Sequence, residues 1–428
     1  MSYATDRSAD DWDTIPAAPG RIATLDTLRG VAVMGILLAN IVAFTLPAPA
    51  YFSPLAWGGH GLKEVAVWLT TFVFVEGKMR GLFSFLFGAS MLLVIERAQA
   101  SGENPVKVHL SRMAVLFAIG VAHMYFIWWG DILAHYAIVG ILAFLFAGMR
   151  AEQLLAAALT ALVATLLWNS MGLFSLMQAA ARDTPQAIQT WDLFAWGFGI
   201  PPADWIDGEI EAMRGSWTAQ VAWRWEFLDG PFAFAKAVGP ETLTAMLFGM
   251  WGFRSGFLTG SWELSSYRRI AITFLAVSLG AYLFLGLNSI AQGFDQRWVY
   301  FASIVGSVPF RIVGTIGYAA LFILAIRPGG RLTERMAAVG RAAFTNYLGT
   351  SILVTAIFYG WGLGQFARWD RATIYLIPPA VWLVMLLWSK PWLDRFRYGP
   401  FEWAWRSFAR LKLQPMRKPL PSGVAAEA

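Results

Sequence analysis

The stretch "AHMYFIWWGDILAHY", Ala122 to Tyr136, sets His123, Asp131 and His135 among aromatic residues in a strongly apolar region. A histidine held by a carboxylate is what a general base requires. Imidazole titrates near neutral pH, and the carboxylate fixes its orientation. Asp131 and His135 are four apart and share a helical face. "WWGD" reads as a tight turn that returns His123 towards that face. Two partnered polar groups fastening a helix bundle would look the same, so residue types alone leave catalysis and packing both open.

Other charges interrupt apolar runs, and each is a functional candidate because a charge in the bilayer interior needs a partner or water. In "LDTLRGVAVMGILLANIVAF", Asp26 and Arg29 are three apart and pair on one face, while Gly30 and Gly35 allow close helix packing. The alternative role for Arg29 is to receive an anionic group such as phosphate. In "VEGKMRGLFSFLFGAS", Glu76, Lys78 and Arg80 are expected to snorkel at the interface. Arg254 in "GMWGFRSGF" and Arg341 lie near span ends and are expected to face lipid phosphates. Arg311 in "SVPFRIVG" is deeper and needs a carboxylate or a ligand oxyanion. Pro309 beside it frees backbone groups and is expected to kink the helix. Asn346 and Tyr347 in "GRAAFTNYLGTS" complete the set.

These residues need a membrane-embedded frame. The chain has 428 residues, 57% hydrophobic and only 14% charged, against about a quarter charged in soluble domains. The expected fold is all-α: a polytopic membrane helix bundle of about ten transmembrane helices, its partner the lipid bilayer. The spans are read at 25–46, 78–97, 112–130, 132–149, 153–178, 238–259, 269–291, 299–326, 343–364 and 372–389. Segment 63–77 is apolar but short, and either lies at the interface or extends the second helix.

Lys and Arg collect in alternate loops and the tail, which predicts both termini cytoplasmic. Residues 1–21 form a polar cytoplasmic lead-in without a signal-peptide core. Residues 22–180 form an N-terminal bundle, 181–237 a Trp-rich extracytoplasmic loop, 238–410 a C-terminal transmembrane domain, and 411–428 a disordered tail. The loop suits short amphipathic helices at headgroup level, or else a lid over an outward cavity. The basic, Trp-rich "RFRYGPFEWAWRSFARLKL" is expected to lie on the inner leaflet, with Glu402 paired to Arg406. No cysteine is present, which removes disulfides and thiolate metal sites, and no metal ligation is expected elsewhere. The net charge of +6 follows the loops, and no nucleic-acid surface is visible.

Five segments in order, "LDTLRGVAVMGILLANIVAF", "GLFSFLFGAS", "GVAHMYFIWWGDILAHYAIVG", "GRAAFTNYLGTSI" and "GPFEWAWRSF", resemble the YeiB family of bacterial inner-membrane proteins over residues 22–410. The C-terminal half resembles that family's domain of unknown function, which ends in a motif supplied here by Gly399, Pro400, Glu402, Trp403, Trp405 and Arg406. The pattern of Asp26, Arg29 and Gly30 is also similar to that of transmembrane acyltransferases, among them the lysosomal heparan glucosaminide acetyltransferase and bacterial O-acyltransferases of cell-surface sugars.

This second resemblance implies transfer of an acyl group from cytoplasmic acyl-CoA to a small-molecule, glycan or lipid acceptor across the membrane. It implies a catalytic histidine soon after the first helix, where His60 stands in "LAWGGHGLKE"; His123 and Asp131 match the YeiB pattern. In such an enzyme His123, oriented by Asp131, is the first choice of base and His60 the second. Lys78 or Asn346 would donate to the oxyanion, and Arg29, Arg254 or Arg341 would meet the coenzyme's phosphates. The rival class is a multispan transporter, although no internal repeat is visible. A third is a structural or lipid-binding protein. Whether copies associate is open between monomer and homo-oligomer.

Overall fold

Residues 19–59 and 61–418 are described in a computed structural model. The described residues form helices and turns, without strands. In order these are α1 (Pro19–Thr45), α2 (Leu62–Phe74), α3 (Lys78–Ala100), α4 (Pro105–Phe126), α5 (Leu133–Phe144) and α6 (Ala151–Ala180). The loop helices α7 (Pro185–Phe198), α8 (Ala203–Arg214) and α9 (Trp217–Phe227) follow. The second half holds α10 (Gly230–Arg254), α11 (Leu264–Ala291), α12 (Gln296–Tyr300), α13 (Val308–Ala325), α14 (Arg331–Arg341), α15 (Ala343–Phe358), α16 (Arg371–Ile374), α17 (Ile377–Arg395) and α18 (Pro400–Arg410).

Every expected apolar segment is helical. Among the described residues, seven stretches are long and apolar enough to cross a membrane: 23–45, 62–100, 105–126, 151–180, 264–291, 308–325 and 371–395. Helices α5 and α15, with 12 and 16 residues, are apolar but shorter. Segment 63–77 forms a separate helix, α2, joined to α3 through a turn with Gly77 at φ +69°, within the apolar stretch 62–100.

Helix α1 is the axis. Its apolar window is 78% buried, against 22% for α4 and α6, which turn most of their surface outwards. On α6 the outward residues are Leu159, Val163, Leu167, Met171 and Phe174, spaced as one helical stripe suited to lipid. Gly30 lets α1 pack against the α14 backbone at Met336, where a Cβ would collide. Pro309 does not kink a helix: it stands in the first turn of α13, where a missing N–H costs nothing. A π-helical turn at Phe301–Val305 precedes α13, and such a turn displaces the ordinary helical hydrogen-bond pattern.

Candidate functional site: a buried His–Asp pair beside a separate ion network

Helix α4 ends one turn after His123. The amides of Ile127 and Trp128 both donate to the His123 carbonyl, at 3.0 and 2.9 Å, and the chain reverses through Trp129 and Gly130. The turn delivers Asp131 to His123, with Nδ1 and Oδ1 2.8 Å apart. The other oxygen, Oδ2, accepts from the Ala134 amide at 2.9 Å, satisfying a first-turn donor of α5. Both side chains are sealed, at 1% and 0% exposure. With Asp131 ionised, the Nδ1 proton donates to it, leaving the lone pair on Nε2. Nε2 is buried and has no hydrogen-bond partner among the described residues. The imidazole lies 5.5 Å from the Tyr347 ring and edge-on to Trp128 at 6.3 Å. Trp128 stacks on Phe44 of α1.

The loop helices cover this turn. Trp217 Nε1 donates to the Phe126 carbonyl at 2.8 Å, and Arg224 donates to the carbonyls of Tyr125 and Ile127 at 2.8 and 3.3 Å. Glu209 of α8 is buried and accepts from the Ala48 amide at 3.0 Å. Its carboxyl, outside the spanning helices, is pushed up to about 8 by burial. Trp225 and Phe227 remain outward, as headgroup-level aromatics would. The loop therefore combines features of both expected roles.

A second constellation joins α3, α10, α11 and α13. Glu241 of α10 accepts from Arg311 at 2.6 Å and from Arg80 at 3.1 Å. Arg311 also donates to Tyr282 Oη at 3.1 Å, to the Ser303 carbonyl of the π-helical turn at 2.6 Å, and to Ser307 Oγ at 3.0 Å. Lys78 is fully buried, with Nζ 3.1 Å from the Tyr282 ring centre. Gly77, between α2 and α3, has φ +69°, and a Cβ there would strike the Arg311 guanidinium. Only glycine meets both demands. The snorkelling expected of Glu76, Lys78 and Arg80 does not occur. Glu76 and Lys78 are buried and Arg80 is part-buried, because α10 and α13 bring a carboxylate and a guanidinium to them.

The remaining sequence candidates fall elsewhere. Asp26 pairs with Arg29 at 2.7 Å, as expected, and Arg29 also donates to Ser90 at 2.8 Å, with Arg341 in electrostatic reach of Asp26. Fifteen residues of α1 separate Arg29 from Phe44, about 22 Å along the bundle. Arg254 donates to the Ala147 carbonyl at 2.6 Å. Asn346 uses its amide on Val339, Ser389 and Trp388, which ties α14, α15 and α17 together. His135 turns from Asp131 to Thr242, 2.8 Å away. His60 lies outside the described residues. Glu402 does not pair with Arg406. It accepts from the Phe344 and Thr345 amides at 2.7 and 3.0 Å, capping α15, while Arg406 lies over the Tyr398 ring.

Two charged residues of the interior, Glu241 and Arg371, escape a reading by motif. Glu241 is a single carboxylate inside an apolar span, and the rule that marks Arg311 marks it equally. Arg371 reads as an outer-loop charge beside Arg368, yet it is 1% exposed. No local signal distinguishes it.

The described chain is thus a polytopic helical membrane protein carrying a buried His–Asp pair and an intramembrane ion network. It belongs to the YeiB family. It is 31% identical over 399 residues to a protein described as "Uncharacterized protein YeiB" of Escherichia coli, covering 90% of this chain and 95% of that one. It is 30% identical over 413 residues to "Uncharacterized protein YxaH" of Bacillus subtilis, covering 93% and 96%. It is 27% identical over 388 residues to a 39.9 kDa protein of Bacillus acidopullulyticus, covering 90% and 93%. Residues 252–412 match the family model described as "Protein of unknown function (DUF418)". That match begins at the end of α10, later than the outer loop, and includes all of α18.

Proposed function

We propose that the protein transfers an acyl group from cytoplasmic acyl-CoA to an extracytoplasmic hydroxyl or amine, on a small molecule, glycan or lipid, in the bacterial inner membrane. The observation that carries this is His123, held at Nδ1 by Asp131 with Nε2 buried and unpartnered. In the reaction, Nε2 takes the acceptor's proton as its oxygen or nitrogen attacks the thioester carbonyl. The carbon–sulfur bond breaks, and the departing coenzyme A thiolate receives a proton from the imidazolium, which Asp131 stabilises meanwhile. The coverage of the turn by α9 keeps water from competing as nucleophile. With both termini cytoplasmic, the Asp26–Arg29 end with Arg341 faces the donor's phosphates, and acyl-CoA must reach along α1 to the pair. Lys78 and Asn346 bond within other groups, so His123 and Asp131 carry the proposal.

The rival reading, a transporter, draws on a different observation: the intramembrane charges of Arg80, Glu241 and Arg311 are shared among three helices, α3, α10 and α13. Binding and turnover of acetyl-CoA by the purified protein separate the two. Wild type and His123→Ala are expected to bind alike, with turnover reduced by about 10²–10⁴-fold in the variant. Absence of binding at millimolar acetyl-CoA overturns acyl transfer. Unchanged turnover in the variant moves the base to His60.

A further inference from the structure

Helix α18 lies against α4 at the end of the bundle where α15 begins. Trp405 Nε1 donates to the Arg112 carbonyl at 3.0 Å, and Glu402 accepts from the Phe344 and Thr345 amides. This contact gathers three arginines. Arg406 and Arg410 are four apart on one side of α18, and both stand in electrostatic reach of Arg112 on α4. The Arg112 guanidinium carbon lies 4.3 Å from the Trp405 ring centre, and that of Arg406 lies 4.5 Å from the Tyr398 ring centre. Stacking on a ring fixes the guanidinium plane and leaves its N–H edges free to donate.

Those edges are not spent on protein. Among the described residues, neither Arg112 nor Arg406 has a carboxylate within 4.0 Å. Neither guanidinium donates a hydrogen bond to a described residue. Glu402, the one carboxylate of α18, spends both oxygens on α15. Glu103 meets the group only at its edge, 3.8 Å from Arg410. Like charges held this close repel, and an anion between them reverses the sign of the interaction. The outward side of α18 is apolar, with Phe408 and Leu411 exposed. An amphipathic helix with this division lies where headgroups give way to acyl chains.

We infer that Arg112 and Arg406, with Arg410 at the rim, hold the phosphodiester headgroup of an anionic phospholipid, whose acyl chains run along Phe408 and Leu411. Guanidinium forks match phosphate oxygens two at a time. A soluble phosphate would use the arginines and leave the apolar side of α18 unused, whereas a lipid uses both. The inference does not depend on acyl transfer at His123.

The test follows the unfolding temperature of the full-length protein in mild detergent. The protein is titrated with phosphatidylglycerol, with phosphatidylcholine of the same acyl chains, and separately with inorganic phosphate. Phosphatidylglycerol is expected to stabilise with a midpoint at least about tenfold lower than phosphatidylcholine. Arg112→Gln and Arg406→Gln are each expected to raise that midpoint about fivefold and to leave the phosphatidylcholine response unchanged. The same change at Arg331, exposed at the start of α14, is expected to leave both responses unchanged. Equal midpoints for the two lipids overturn the inference, and this wild-type comparison stands even if a variant does not fold. An effect of Arg331→Gln as large as that of Arg112→Gln also overturns it, because the field of the whole face then suffices. Inorganic phosphate reproducing the full stabilisation at ~10 mM overturns the lipid as occupant.

Discussion

Two sides of the core carry polar groups of different kinds. On one, His123 and Asp131 are eight residues apart and meet through a single reverse turn. On the other, Arg80, Glu241, Tyr282 and Arg311 arrive from α3, α10, α11 and α13, and a π-helical turn supplies a further acceptor. The first group leaves a basic nitrogen unspent, whereas Arg311 in the second donates to four partners. Satisfied buried networks fix structure, and an unsatisfied basic atom is where chemistry has an opening. Under the proposed function, the contrast divides the core into a fastening half and a reactive half.

Cutting the fastening half should have the largest effect on stability. Glu241→Gln leaves Arg311 buried without its counter-ion, a loss of about 3–5 kcal/mol when one partner of a buried pair is removed. The unfolding temperature and the yield of monodisperse protein should both fall steeply. An unchanged unfolding temperature would erase the contrast and recast Arg311 as a ligand site.

A smaller effect is expected at the cap over the reactive half. Glu209 holds its proton up to about pH 8 in the folded protein, whereas an unfolded carboxyl releases it near 4.5. The native state therefore binds more protons between these values. The contribution is fully present at low pH, declines as pH rises from about 4.5 towards 8, and then levels off. Glu209→Gln should flatten that decline in unfolding temperature. A variant with the wild-type slope would detach Glu209 from the stability of the cap.

The smallest stability change, under about 1 kcal/mol, is expected for Asp131→Asn, since its amide oxygen can still accept from Ala134. The amide nitrogen would then face Nδ1, moving the imidazole proton to Nε2 and removing the base. Acetyl-CoA turnover should fall with little change in unfolding temperature. A large loss of stability with intact turnover would place the pair among the fasteners.

Much of this was legible from local pattern. Long apolar runs required helices, since lipid offers backbone groups no alternative partner. The three-residue spacing of Asp26 and Arg29 required one face, and "WWGD" required a reversal that could return His123 to Asp131. These are properties of neighbours in the chain. The segments carrying Glu76, Lys78 and Arg80 misled for the complementary reason: snorkelling is the expected behaviour only when no partner is near.

The sequence by itself determined the membrane solvent, the helical class and the His123–Asp131 pair, because periodicity and short spacing act through the backbone. Only the tertiary structure decided that Glu241 joins Arg80 to Arg311, that Glu402 caps α15, and that Arg371 is buried on the Ala50 carbonyl. Those partners are distant in the chain, and their choice follows from which helix faces are turned together to avoid burying a charge alone.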